Sequence, residues 1–173
     1  MFRNTTFLLA ALVFGAISLS AQTGPSKYGH MNLGNVLSEM PATAQADKQL
    51  RIFADSLSQK DSLMTDAFQA AYLQLKKEYE EKSLTAVQVQ QRQMELEKQR
   101  QAIQDFEKAA QEQVEAKRGE MLKPILDRIE TAIQEVAKEN GFLMIFDVGT
   151  GSMLFADESI DVTPLVKMKL GLP

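Results

Sequence analysis

The chain has 173 residues, with 19 basic and 23 acidic side chains and a formal net charge of −4 at pH 7. It contains no cysteine and one histidine, which excludes disulfides, cysteine-ligated zinc and a Cys–His nucleophile pair. Basic residues are interspersed with acidic ones instead of clustered, and clustered Lys and Arg supply most of the affinity for a phosphate backbone. We therefore expect no nucleic-acid partner.

Residues 1–21 have the pattern of a secretory signal peptide. Arg3 supplies the positive charge, and Phe7 to Leu19 form a mostly apolar run that is too short to span a bilayer comfortably. We expect cleavage between Ala21 and Gln22 and a periplasmic location. The alternative is an uncleaved anchor.

Residues 22–41 are predicted to form the N-terminal part of a small body. Tyr28 to Leu33 have the pattern of a strand, Gly34-Asn35 that of a turn, and Val36 to Met40 that of a short helical piece. Pro41 suits the first turn of a helix, where its missing N–H costs nothing. A long helix should therefore begin there.

Residues 42–118 contain neither glycine nor proline, which predicts a long helical element. The helical phase breaks between Glu80 and Thr85, where Ser83 or Thr85 could cap a new helix. We interpret residues 42–123 as an antiparallel helical hairpin, called the arm, about 55–60 Å long at 1.5 Å per residue. Apolar residues at helical spacing form its seam: Leu50, Phe53, Leu57, Met64, Phe68, Leu75, Tyr79, Val89, Leu96, Ile103, Phe106, Ala110 and Val114.

The seam is thin, because polar residues occupy or border positions where a tight coiled coil would place leucine. These residues are Lys60, Asp61, Arg92, Gln99, Gln113 and Lys117. We expect a flexible, partly hydrated arm.

Several apolar residues of the arm do not fit one buried stripe: Leu63, Tyr72, Leu73, Leu84, Val87 and Met94. Local changes of the supercoil could bury them. Alternatively they are open contacts for clients, since Met and Tyr adapt to many partners.

Residues 124–173 are predicted to complete the body. After Pro124 an apolar helical stripe leads to Gly141, which is followed by a strand, Phe142 to Phe146. Gly149 to Ser152 should turn the chain into a second strand, Met153 to Ala156, as a hairpin. Thr163 is the predicted N-cap of a last helix that ends at Gly171.

The predicted fold class is therefore α+β, with the arm inserted in a small body of about three strands. About 70 body residues make a marginal core, so association of the body is expected. The residues assigned to this oligomerisation body are Met31, Leu33, Ile129, Ile133, Val136, Leu143, Ile145 and Leu154.

Three groups of polar residues are candidates for a catalytic, calcium-binding or phosphate-binding site, and each has a simpler structural interpretation. His30 is more simply a structural strand residue, and Asp157, Glu158 and Asp161 lack the ligand spacing of a calcium loop. The segment from Gly149 to Ser152 lacks the lysine and the long helix of a phosphate loop. We expect no catalytic residue, cofactor or metal, and no enzymatic activity.

The order of these elements resembles the Skp/OmpH family of periplasmic chaperones over nearly all of the expected mature chain. The resemblance is carried by Gly29 to Leu33, Met40-Pro41, Pro124-Ile125, Gly141 to Asp147 and Asp161 to Thr163. It implies a homotrimer in which the strands form a small barrel. It also implies that three arms surround a cavity holding unfolded outer-membrane proteins.

This chain is acidic, whereas the best-known members of that family are strongly basic. We therefore carry over neither electrostatic capture of acidic clients nor a lipopolysaccharide-binding or membrane-binding cluster. The function predicted is that of an ATP-independent periplasmic holdase that encloses unfolded outer-membrane proteins. The alternative is a structural coiled-coil spacer, or a subunit that braces an envelope complex.

Overall fold

The computed structural model describes residues 27–173, and the predicted signal peptide lies outside the described residues. Two strands and four α-helices make up this part of the chain, with two short 3-10 turns after the second strand. In chain order they are β1 (Lys27–Met31), α1 (Leu33–Glu39), α2 (Pro41–Glu80), α3 (Ala86–Asn140), β2 (Phe142–Asp147), the 3-10 turns Val148–Thr150 and Glu158–Ile160, and α4 (Thr163–Leu170).

Helices α2 and α3 form the predicted hairpin. At its tip Lys82 takes a positive φ of 52°, and Thr85 caps α3. The Thr85 hydroxyl oxygen accepts from the Gln88 N–H, and the Gln88 side chain accepts from the Thr85 N–H, which is a capping box. At 1.5 Å per residue, the 40 residues of α2 span about 60 Å. The interruption of the helical phase thus marked the turn correctly.

The sheet has two parallel strands, one from each side of the arm insertion. Tyr28 pairs with Met144, His30 with Phe146, and Met31 with Asp147. Helix α3 runs through Pro124 to Asn140 and ends at Gly141, whose φ of 71° is the left-handed conformation that favours glycine. The arm is therefore one long connection between paired strands.

The prediction of a third strand at Met153 to Ala156 is wrong within residues 27–173, where the sheet has only β1 and β2. The Asp147 side chain accepts hydrogen bonds from the backbone N–H groups of Leu33 (3.1 Å) and Gly149 (2.8 Å). These bonds hold the turn after β2 against the start of α1. The chain then leaves β2 without forming a strand that pairs with it.

Two element ends also differ from the prediction. Leu33 and Gly34 lie in α1, whose N-cap is Asn32, instead of in the strand and the turn. Thr163 is inside α4 and is not its cap, because its hydroxyl donates to the Asp161 carboxylate at 2.6 Å. Val162 precedes α4, and its N–H donates to the His30 carbonyl at 2.9 Å, which fixes this junction against β1.

The hydrophobic core lies in the body and at the base of the arm. None of residues 47–124, all of which are described, is buried. Helix α4 is held by salt bridges from Lys169 to Glu139 and from Lys167 to Glu39. The buried apolar residues are Met31, Val36, Met40, Ala46, Ile125, Ile129, Ala132, Val136, Val162, Val166 and Leu170.

Two glycines provide a matched test of this packing. A Cβ on Gly29 would lie 2.7 Å from Val162 Cγ1, whereas a Cβ on Gly119, inside α3, meets nothing within 4 Å. We expect Gly29→Ala to lower the free energy of unfolding by about 1–3 kcal/mol through overpacking. Gly119→Ala should raise it by about 0.5–1 kcal/mol, because alanine is the better helix former.

Chemical denaturation monitored by circular dichroism measures both changes. Equal effects of the two substitutions would contradict the close packing of β1 on the α4 junction.

Candidate functional site

The structure exposes apolar side chains in two places, along the arm and on one face of the body. The first set lies on α2 and α3 away from the seam, and we call it the arm surface. The second set surrounds the outer face of β1 and β2, and we call it the body patch. Neither set contains a cluster of groups suited to acid–base or nucleophilic chemistry.

Five of the six residues predicted as client contacts are exposed and form most of the arm surface. Leu84, at the tip, is half-buried. Ile52, which was not among the predicted contacts, is 60% exposed and lies off the seam between Leu50 and Phe53. The exposed five are Leu63, Tyr72, Leu73, Val87 and Met94.

Tyr79 belongs to the arm surface, and the prediction that it lies in the seam is wrong. It is 65% exposed, whereas Glu78 is half-buried. Near the tip the inward positions are Ala71, Leu75 and Glu78, four and three residues apart. Tyr72 and Tyr79 are therefore one heptad apart on the outer flank, where both line a groove between the helices.

The other seam residues are half-buried, and the polar residues among them leave hydrogen-bond acceptors unpaired. Asp61 Oδ1, Glu78 Oε2 and Gln99 Oε1 are shielded from solvent without a hydrogen-bond partner in the described chain. Lys60 instead places its Nζ 4.8 Å from the centroid of the Phe106 ring. A seam with such positions contributes little burial per turn, so we expect low free energies of local opening along the arm.

The salt bridges of the arm each join two residues of the same helix. Arg100 bonds to Glu97 in the same helix and holds the pKa of that carboxyl below its usual value, while Glu97 raises the pKa of Arg100. Lys117 pairs with Glu120 and Lys77 with Glu81 in the same way. Such exposed pairs add little to stability.

The body patch lies on the face of the sheet opposite the core. Ile145 packs against the core, whereas Met144 and Phe146 are exposed, as expected for alternating side chains. The rings of Tyr28 and Phe146 are 6.5 Å apart, centroid to centroid. A shallow cavity of about 310 Å³ lies here, lined by Tyr28, Gly29, His30, Phe146, Met153, Phe155, Ala156 and Ile160.

The residues assigned to the oligomerisation body fall into two groups. Met31, Ile129 and Val136 are buried in the core of their own chain, and Leu33, Ile133 and Ile145 pack against that core. Leu143 and Leu154 are 69% and 99% exposed. Only the latter two are open to a partner. Phe155, 82% exposed, was missed because it was assigned to a paired strand.

His30 lies in β1, and its Nε2 is 2.9 Å from the Asp157 carbonyl oxygen. Hydrogen bonds from Ser159 lower the pKa of the Asp157 carboxyl, with a smaller contribution from His30. The contact between His30 Nε2 and the Asp157 carbonyl oxygen holds the loop before α4 against β1. Across residues 27–173 no group of three or more His, Cys, Asp or Glu side chains could hold a metal ion.

Among the described helices, none combines the length and the apolar character needed to cross a membrane.

Comparisons with known proteins agree with this architecture. The family described as Outer membrane protein (OmpH-like) matches residues 27–170. A crystal structure of a proposed OmpH-like outer membrane chaperone from Caulobacter crescentus CB15 is 16% identical, with 85% of each chain covered and a TM-score of 0.69. That similarity shows a shared fold. The comparison with curated proteins finds no match. The chain belongs to the OmpH-like outer membrane protein family, as the order of its sequence elements indicated.

Proposed function

We propose that this protein is a periplasmic, ATP-independent holdase that encloses unfolded outer-membrane proteins between its arms and prevents their aggregation. The observation that carries the proposal is the arm surface: large apolar side chains stand more than half exposed on a hairpin without a buried core. The exposure of Leu63, Tyr72 and Met94 at several points along the arm favours a binding surface over a helix pair built only as a spacer. Family membership supports the same function.

The proposed mechanism is multivalent and weak. Each exposed side chain offers an unfolded client a small apolar contact, worth roughly 25 cal/mol for each Å² removed from water. Contacts spread along a 40-residue helix add through high effective concentration, so no single one needs to be tight. Release then requires no chemical step, because a client that folds withdraws its own apolar surface.

Assembly is the second element of the proposal. The body patch is apolar, Leu154 and Phe155 are almost fully exposed, and β2 has no strand on its outer side within residues 27–173. Exposed apolar patches and open strand edges are features that association removes. We propose that copies of this chain cover the patch for one another, giving the homotrimer that the family resemblance implies.

Assembly can be tested without disturbing the fold, because Leu154 and Phe155 bury almost nothing in their own chain. Leu154→Asp with Phe155→Asp should convert the oligomer to monomers that keep their helical content. Met168→Asp is the control, since Met168 is 73% exposed on α4. Light scattering gives the mass of each variant. Oligomers that persist in the double variant would refute assembly through the patch.

Client binding is tested by replacing Leu63, Tyr72, Leu73, Val87 and Met94 together with serine. The loss of apolar contact should weaken binding of an unfolded β-barrel protein by a kcal/mol or more, at roughly 25 cal/mol per Å². The control replaces the exposed residues Gln59, Gln69, Gln90, Gln91 and Gln104 with serine. Both sets carry similar helix-propensity costs.

Suppression of aggregation of an unfolded porin also separates the holdase from the structural spacer. The natural chain and the glutamine control should suppress aggregation near stoichiometric ratio, and the apolar set should not. A natural chain that leaves aggregation unchanged would favour the spacer or bracing subunit.

A further inference from the structure

A notch interrupts the seam in the body-proximal half of the arm. Ala54 and Ser58 of α2 face Ala110 of α3, and because these side chains are small the helices leave a cavity of about 370 Å³. Its apolar surface comes mainly from three larger seam residues, Leu57, Phe106 and Val114. These three side chains are half-buried, as the rest of the seam is, and at the notch they border a cavity that an incoming group can enter.

The rim of the notch is negatively charged. Asp61 of α2 and Glu107 and Glu115 of α3 line it, and no Lys or Arg does. Within residues 27–173 none of these three carboxylates forms a salt bridge, although other acidic groups of the arm do. Lys60 lies beside Asp61 in sequence, but its ammonium lies over the Phe106 ring and makes no salt bridge with Asp61.

Asp61 marks the notch as a place that lacks a donor. Its Oδ1 is shielded from solvent and accepts no hydrogen bond from the described chain. An unpaired acceptor costs free energy, so a turn of the half-buried Asp61 carboxylate toward a donor held in the cavity would be favourable. An apolar floor, an anionic rim and a missing donor together match one type of ligand, a cation carried on an aliphatic stem.

We propose that the notch binds a lysine or arginine side chain of an unfolded polypeptide. The aliphatic stem lies along Leu57, Phe106 and Val114, and the ammonium or guanidinium donates to Asp61 and to the glutamates of the rim. The inference deepens the proposed function, on which it rests. It adds a charge-selective contact to the apolar arm surface and favours client segments in which basic and apolar residues alternate.

The test uses fluorescent, unstructured peptides with alternating leucine and lysine, and identical peptides in which every lysine is acetylated. Acetylation keeps the stem and removes the charge. The natural full-length chain should bind the lysine peptide about fivefold or more tightly than the acetylated one by fluorescence anisotropy. The notch variant Asp61→Asn, Glu107→Gln, Glu115→Gln should lose that preference.

The control variant Asp66→Asn, Glu80→Gln, Glu95→Gln removes the same charge from exposed arm positions outside the notch. It should keep the preference, which separates local recognition from the attraction of an acidic protein. Circular dichroism checks that each variant folds. The near-isosteric single variant Asp61→Asn should reduce the preference in part, so the test does not depend on the triple variant alone.

Equal loss of preference in the notch and control variants would overturn the proposal, as would equal binding of the two peptides by the natural chain. Suppression of porin aggregation is measured separately. If the natural chain suppresses porin aggregation but shows no preference for the lysine peptide, the notch inference is wrong and the proposed holdase function is unaffected. If the preference is present and suppression is absent, the proposed holdase function fails while the notch stands.

Discussion

The structure depends on an uneven distribution of buried apolar surface. Every buried residue of the described chain lies in the body or at the base of the arm, and burial ends at Ala46 on α2 and resumes at Ile125 on α3. Between them the two helices rely on half-buried side chains and on their own backbone hydrogen bonds. Long helices without tertiary packing gain little stability, so the body must fix the base of the hairpin.

The same distribution explains why exposed apolar residues can stay on the arm. If the seam buried a wide stripe, Leu63, Tyr72 and Met94 would be drawn into it or would promote aggregation. With a thin seam they stay accessible singly, separated by charged and glutamine residues, and no continuous apolar face forms. Under the proposed function, such an arm would contact unfolded chains while it remains solvated. The body patch, in contrast, concentrates its apolar residues where a second copy of the chain could cover them.

The architecture was predictable from the sequence because the patterns that define it extend over many residues. The run without glycine or proline defined the hairpin, and Gly141 and Gly171 ended helices as expected. Short segments were less predictable. Met153 to Ala156 has the composition of a strand but does not pair with β2. The Leu33 and Gly149 N–H groups donate to the Asp147 side chain and hold the turn after β2 against α1. Near the tip, helical periodicity allows either Glu78 or Tyr79 to face the other helix. The structure places Glu78 there and leaves Tyr79 exposed.

The candidate site was predictable in part. Off-seam apolar residues followed from helical phase, whereas the notch depends on how small residues of two helices face each other, which one-dimensional periodicity does not reveal. Because none of residues 47–124 is buried, we expect the arm to be much less stable than the body. Hydrogen exchange measures this difference directly in the natural chain. Amides between Met64 and Ile103 should exchange much faster than those between Ile129 and Phe146, whereas uniformly slow exchange across both regions would contradict the account.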